Sequence, residues 1–152
     1  MKSGYLYCLY NKCFDVYGES VYKLGFTKDL VSRMRGYRTC YVTPSVYLHT
    51  SREFGNSRQA ESILFHLLRS RRVIKNREFF KVDIQKIKVM IDKMSALSDE
   101  YLACIYKKVE NNVCPDDILD LEEDILTRPD FDMFKFKPTN PDSYIKYGFN
   151  II

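Results

Sequence analysis

No stretch of this chain approaches the roughly 20 consecutive apolar residues that a membrane-spanning helix needs. Met1-Lys2-Ser3-Gly4 passes straight into a β-rich segment without the charged-then-apolar leader of a secreted protein. Those absences imply a soluble, intracellular chain. Metal-cluster spacing is missing as well. The five cysteines, Cys8, Cys13, Cys40, Cys104 and Cys114, are odd in number and scattered, with no C-x-x-C pair and no histidine at zinc-ligand distance. They read as reduced thiols, with Cys8 and Cys104 in apolar runs and therefore buried. Internal repeats and low-complexity tracts are lacking, which excludes a solenoid, and no helix-turn-helix or zinc finger stands apart from the main domain.

What is present suits one compact domain with an appendage: 152 residues, 45% of them apolar, are enough for a core. Charge is unevenly spread. Residues 1–83 hold 15 Lys and Arg against 7 Asp and Glu, whereas 84–152 hold 9 against 13. A basic first half fits a polyanionic partner, because phosphate neutralisation supplies most non-specific nucleic-acid affinity. The organisation expected is a compact unit over 1–83, a helical extension over 84–110 packed on it, and an acidic, aromatic tail over 111–152 with a short acidic helix at 116–124. Lys-, Ile-, Asn- and Tyr-rich composition suits an AT-rich genome such as that of a large DNA virus or phage.

The β-formers Gly4 to Tyr10 predict a strand, and after a turn-rich stretch from Asn11 to Ser20 a second strand over Val21 to Phe26 folds back on it. Alternation puts Tyr5, Tyr7 and Leu9 on one face and Val21, Lys23 and Gly25 on the partner's. Thr27 is the expected N-cap of a helix over 28–38, with Asp29 in its first turn and Arg33 and Tyr37 one turn apart. A third strand is expected between Val42 and Ser51. Asn56 then caps a helix running to the basic Arg69-Ser70-Arg71-Arg72, in which Glu61 shares an apolar stripe with Leu64, Phe65 and Leu68. A carboxylate there needs a cation or a metal as partner. Asn76 to Val82 reads as a short strand or extended turn before helices over 84–95 and 98–110. The fold class is α+β: a small antiparallel three-stranded sheet flanked by helices, with a C-terminal helical and irregular extension.

Tyr7 in Gly4-Tyr5-Leu6-Tyr7, then Lys23-Leu24-Gly25, Arg33, Tyr37, Glu61 and Asn76 stand in an order and spacing that resembles the GIY-YIG nuclease superfamily. The likeness is to its viral and bacterial branch, in which a lysine replaces the second motif tyrosine; Glu78-Phe79-Phe80 resembles the segment that closes the domain in that branch. The first glycine is displaced by one, and Lys23 rules out a two-tyrosine mechanism. The resemblance implies a metal-dependent endonuclease cutting DNA, RNA not excluded, in repair, recombination or genome processing. It implies catalytic Tyr7, Lys23, Arg33, Tyr37 and Glu61, and one Mg²⁺ or Mn²⁺ on Glu61.

The chemistry agrees with that implication. A tyrosine is a poor base unless a cation lowers its pKa, and Lys23, facing Tyr7 across the hairpin, is the expected cation. Arg33 would clamp a phosphate oxygen with its rigid donor fork, and Tyr37 would orient phosphate, water or Arg33. Arg35, Arg38, Arg52, Arg58, Arg69, Arg71, Arg72, Lys75 and Asn76 are the candidate nucleic-acid contacts, giving affinity without sequence information. Each residue also has an ordinary reading: Tyr7 as strand packing, Lys23 as an edge-strand charge, Glu61 as the ion-pair partner of Arg58. His49 and His66 read as structural. The alternatives to an enzyme are a catalytically inactive nucleic-acid-binding module of the same fold and a protein-interaction scaffold.

Overall fold

The computed structural model describes residues 2–111. Their order is β1 (Gly4–Asn11), a 3-10 helix (Lys12–Tyr17), β2 (Val21–Thr27), α1 (Leu30–Cys40), β3 (Ser45–Phe54), α2 (Ser57–Leu67), a 3-10 turn (Arg69–Arg71), β4 (Phe79–Lys81), α3 (Ile84–Ala96) and α4 (Asp99–Glu110). The fold is α+β, with an antiparallel sheet in the order β3-β1-β2-β4. From residue 112 on, the acidic and aromatic tail with its expected helix lies outside the described residues.

The sheet has four strands instead of the expected three, because Phe79–Lys81 pairs with Val21–Lys23 on the outer edge of β2. The pleat explains why so short a segment holds. Its two aromatics point to opposite faces: Phe80 packs tilted against Phe65 of α2 at 4.9 Å, and Phe79 edge-on against Phe14 of the 3-10 helix at 5.0 Å. Each face of the sheet is thereby clamped. Leu6, Cys8, Leu24 and Phe80 face the larger core, shared with α2, α3 and α4 through Ile63, Leu64, Met90, Leu102 and Ile105. Tyr7, Leu9, Phe14, Val21 and Tyr37 form a smaller one under α1.

Two local readings change. Asp29, not Thr27, caps α1: its Oδ1 accepts from the backbone N–H of Val31 and Ser32, while Thr27 Oγ1 accepts from Asp29 N–H. Both residue types cap well, and the strand runs on through Thr27 and leaves the role to Asp29. Cys104 is exposed, because α4 turns its apolar stripe of Leu102 and Ile105 inward and Cys104 away; Cys8 is buried as expected. His49 has an acidic partner, 43 residues on: Asp92 Oδ1 lies 2.8 Å from Nε2, tying β3 to α3.

Arg52 also serves the fold. Its guanidinium donates to the carbonyls of Ser95, Glu53 and Leu97 and to Asp99 Oδ1, and it lies over the Phe54 ring at 4.5 Å. It clasps the α3–α4 turn. No described helix is long and apolar enough to cross a membrane. Because Phe80 is fully enclosed, Phe80→Ala is expected to destabilise the protein by about 3–5 kcal/mol. A urea titration reads this, and a loss under about 1 kcal/mol would mean that β4 is not packed as described.

Candidate active site at the open edge of β2

Gly25 decides where Tyr7 sits. The two are direct cross-strand partners, and a Cβ on Gly25 would lie 2.7 Å from Tyr7 Oη and 2.9 Å from Cζ. The ring therefore lies across the bare backbone of β2, where no other residue type leaves room. Its hydroxyl ends 2.5 Å from that of Tyr37, which α1 delivers from above. Tyr47 on β3 closes the third side, edge-on to the Tyr7 ring at 5.3 Å, its own hydroxyl donating to the Leu30 carbonyl.

This register changes the expected role of Lys23. Lys23 is paired with Leu9, two residues along from Tyr7 on the same face. Its ammonium is 3.5 Å from Glu78 Oε2 and rests over the rings of Tyr37 and Phe79 at 5.5 and 5.6 Å. So Lys23 offsets Glu78 and supports Tyr37 by cation–π attraction; it is not the cation that lowers Tyr7. Burial, followed by the hydroxyl bond and charge coupling with Tyr37, pushes the Tyr7 pKa well above the ordinary phenol range. Arg33 is the one cation that pulls the other way, and it does not prevail. Tyr7 is thus a neutral hydroxyl at neutral pH, so of the two ways it could act on a water, as a phenolate or through hydrogen bonding, only the second fits this state. Burial likewise raises Tyr47 to about 12.

The second half of the site follows from where β4 stops. Alternate residues of β2 send their N–H groups to the β4 side. Leu24 N–H bonds the Glu78 carbonyl, the last bond of that edge. The next donor on the same side, Phe26 N–H, has no strand opposite it, and the Glu61 carboxylate of α2 takes it. Glu61 is consequently drawn into the rim of the core. Burial and the neighbouring Glu78 carboxylate raise its pKa to about 7, against the Phe26 bond and the cations of Arg58 and Arg72, which lower it. Glu78 joins the two halves, since its charge acts on both Tyr7 and Glu61.

Tyr7, Tyr37, Lys23, Arg33 and Glu61 are therefore gathered around residues 23–26 of β2, with Arg58 and Arg72 beside Glu61. The remaining candidates have other positions. Arg35 and Arg38 line a separate hollow with Leu30, Val31, Met34 and Tyr47. Arg69 donates to the His66 carbonyl and, with Arg71, belongs to the turn after α2. Arg72 donates to the Arg77 carbonyl at 2.6 Å and stacks over Phe65 and Phe80. Asn76 holds a left-handed turn (φ 65°) in an exposed loop, a conformation its short polar side chain tolerates. Glu78 and Tyr47 were not singled out from the sequence as site residues. Glu78 had a signal, being a charge set against the buried Phe79-Phe80 pair; Tyr47 had none.

The family model of the T5orf172 domain matches residues 4–95, more than half of the chain. The chain belongs to the T5orf172 domain family. This domain is found in nuclease-related proteins of the GIY-YIG and HNH-like kind, which supports a nuclease-related, nucleic-acid-directed role. Neither a curated protein nor a solved structure matches the chain. The T5orf172 match spans every residue of the site and ends within α3, while α4 beyond it completes the same core.

Two outcomes follow. Gly25→Ala drives a methyl into Tyr7 and is expected to cost about 1–3 kcal/mol by overpacking; unchanged stability and an unshifted Tyr7 ring signal in NMR would contradict the close approach. For Glu61 the folded pKa, about 7, exceeds the ordinary 4.5. The folded state thus binds the extra proton, and stability from this group is full below about pH 4.5 and lost as pH rises through 7. Without divalent ions, Glu61→Gln should therefore be more stable than wild type at pH 8 by about 1–2 kcal/mol, discounted for partial exposure, with the difference vanishing near pH 4.5. A constant difference across that range would refute the raised pKa.

Proposed function

We propose that the chain is a metal-dependent endonuclease of the GIY-YIG superfamily that hydrolyses DNA phosphodiester bonds. The observation that carries this reading is the placement of a buried hydroxyl pair (Tyr7, Tyr37), a guanidinium (Arg33) and a half-buried carboxylate (Glu61) around residues 23–26 of β2.

The donor set supports one divalent ion. Burial, and after it the Glu78 carboxylate, raises Glu61, a penalty on its charge that a cation would relieve, and both carboxylates offer the oxygen ligands that Mg²⁺ or Mn²⁺ takes. Among the described residues no group of three His, Cys, Asp or Glu is arranged around a metal. The residues therefore fit an ion held chiefly by Glu61 and otherwise by water and substrate. When bound, such an ion supplies Lewis-acid stabilisation of charge on the phosphoryl group.

The chain's own groups do the rest. Arg33 is exposed one turn before Tyr37, so its donor fork is free to grip a non-bridging oxygen and draw the phosphate onto the hydroxyl pair. In that pair one hydroxyl donates to the other, which leaves a proton for phosphate or water and lone pairs for a water O–H. A proton leaving an attacking water can pass onto one hydroxyl oxygen as that hydroxyl's own proton shifts along the bond to the second, whose proton goes to a phosphate oxygen. Neutral tyrosines suit this relay, since neither has to ionise. Lys23 keeps Glu78 compensated while substrate phosphate is near.

Supercoiled plasmid tests the reading directly. Nicking is expected with Mg²⁺ or Mn²⁺ and not with EDTA, and Arg33→Ala and Glu61→Ala should each lower the rate by about 100-fold or more. Cutting that persists in EDTA, or survives both substitutions, would remove the proposal.

A further inference from the structure

Beside the site, a hollow of about 500 Å³ opens between the starts of α1 and α2, walled by Lys2, Lys28, Ser32, Arg33 and Gly36, with Phe26 at its back. Three cations line it. The one carboxylate there, Asp29, is occupied in capping α1. Arg33 belongs both to this wall and to the field acting on Tyr7. Phe26 is the residue whose backbone Glu61 holds. The hollow and the hydrolytic centre are therefore adjoining compartments, with Arg33 between them.

Gly36 is the telling residue. It lies mid-helix and exposed, where glycine weakens a helix relative to alanine. Its backbone is ordinary helix, without the positive φ that would call for glycine. A Cβ there would meet nothing within 4 Å, so no packing within the protein requires it either. What a side chain would fill is the hollow itself, three residues along α1 from Arg33 on the same helix face.

We propose that this hollow seats the sugar-phosphate backbone of the DNA strand next to the phosphodiester being cut, with Lys2 and Lys28 contacting phosphates and Gly36 kept bare so that the strand can lie against α1. The inference rests on the nuclease reading for its choice of polymer, but it makes its own claim about where the strand runs. Neither lysine stood out in the sequence, because the hollow is assembled from three separate segments.

Binding of fluorescein-labelled single-stranded and duplex DNA, and of RNA of the same sequence, is measured by anisotropy in EDTA across a salt series, with cleavage followed separately in Mn²⁺. Gly36→Leu is expected to raise the thermal midpoint while weakening DNA binding at least about tenfold, a pairing that a damaged fold cannot produce. Lys28→Ala and Lys2→Ala should each lower the slope of log affinity against log salt by about one. Lys107→Ala, an exposed lysine of α4, is the charge-matched control and should leave the slope unchanged.

Weakened binding in the hollow variants supports the inference whether or not wild type cuts. Variants that bind and respond to salt like wild type overturn it, even if wild type proves a nuclease. A hollow-dependent preference for RNA overturns DNA as the occupant, and a wild type that binds neither polymer overturns this inference and the proposed function together.

Discussion

The contact on which the site depends is the Tyr7 ring lying against the bare backbone of Gly25. It fixes the hydroxyl at a height where α1 can bring Tyr37 to meet it, and it leaves both neighbours of Gly25 in β2 free for other work. On one side Leu24 bonds Glu78 and ends the pairing with β4; on the other Phe26 offers its N–H to Glu61. A single residue without a side chain thus sets the spacing between the hydroxyl pair and the carboxylate. In the unpaired interior of a strand glycine weakens the sheet, and this one is supported by the aromatic ring that covers it.

Around that contact the electrostatics are poised against the apo state. Burial, and then the Glu78 carboxylate, makes Glu61 resist ionisation, and burial keeps the Tyr7 hydroxyl neutral. Such groups would be better separated if stability were the only requirement. Under the proposed function the arrangement would become favourable once a divalent cation and a phosphodiester enter, the cation offsetting Glu61 and Glu78 and the phosphate pairing with Arg33. Lys23 acts as a counter-ion within this balance. Its ion pair with the half-exposed Glu78 is weak for stability, and its value lies in holding the local charge near neutral.

Much of the fold is legible in the chain because its signals are local. Alternation marks β1 and β2, Asn56 caps α2, and the Arg33–Tyr37 spacing places both on one side of α1. What the residues do not disclose is non-local. The Asn11–Ser20 segment contains the 3-10 helix Lys12–Tyr17, and the register beyond it sets Leu9, not Tyr7, opposite Lys23. Nothing in the individual residues specifies that register. The residues of Phe79–Lys81 leave a short strand and an extended turn both open, and what decides for the strand is its pairing with β2 together with Phe14 and Phe65 on opposite faces. Arg52 and Arg72 look like surface cations in one dimension; they become structural only when carbonyls and rings from distant segments surround them.

In the proposed function Glu61 and the Tyr7–Arg33 cluster form one metal-and-phosphate site on the edge of β2. A crystal of the protein with a non-cleavable phosphorothioate dinucleotide and Mn²⁺, measured at the manganese absorption edge, tests it most directly. The account predicts an anomalous peak in bonding contact with a Glu61 oxygen and a phosphate oxygen bonded to Arg33. A manganese ion bound elsewhere, with Glu61 still bonded only to Phe26 and Arg33 turned from the phosphate, would contradict it.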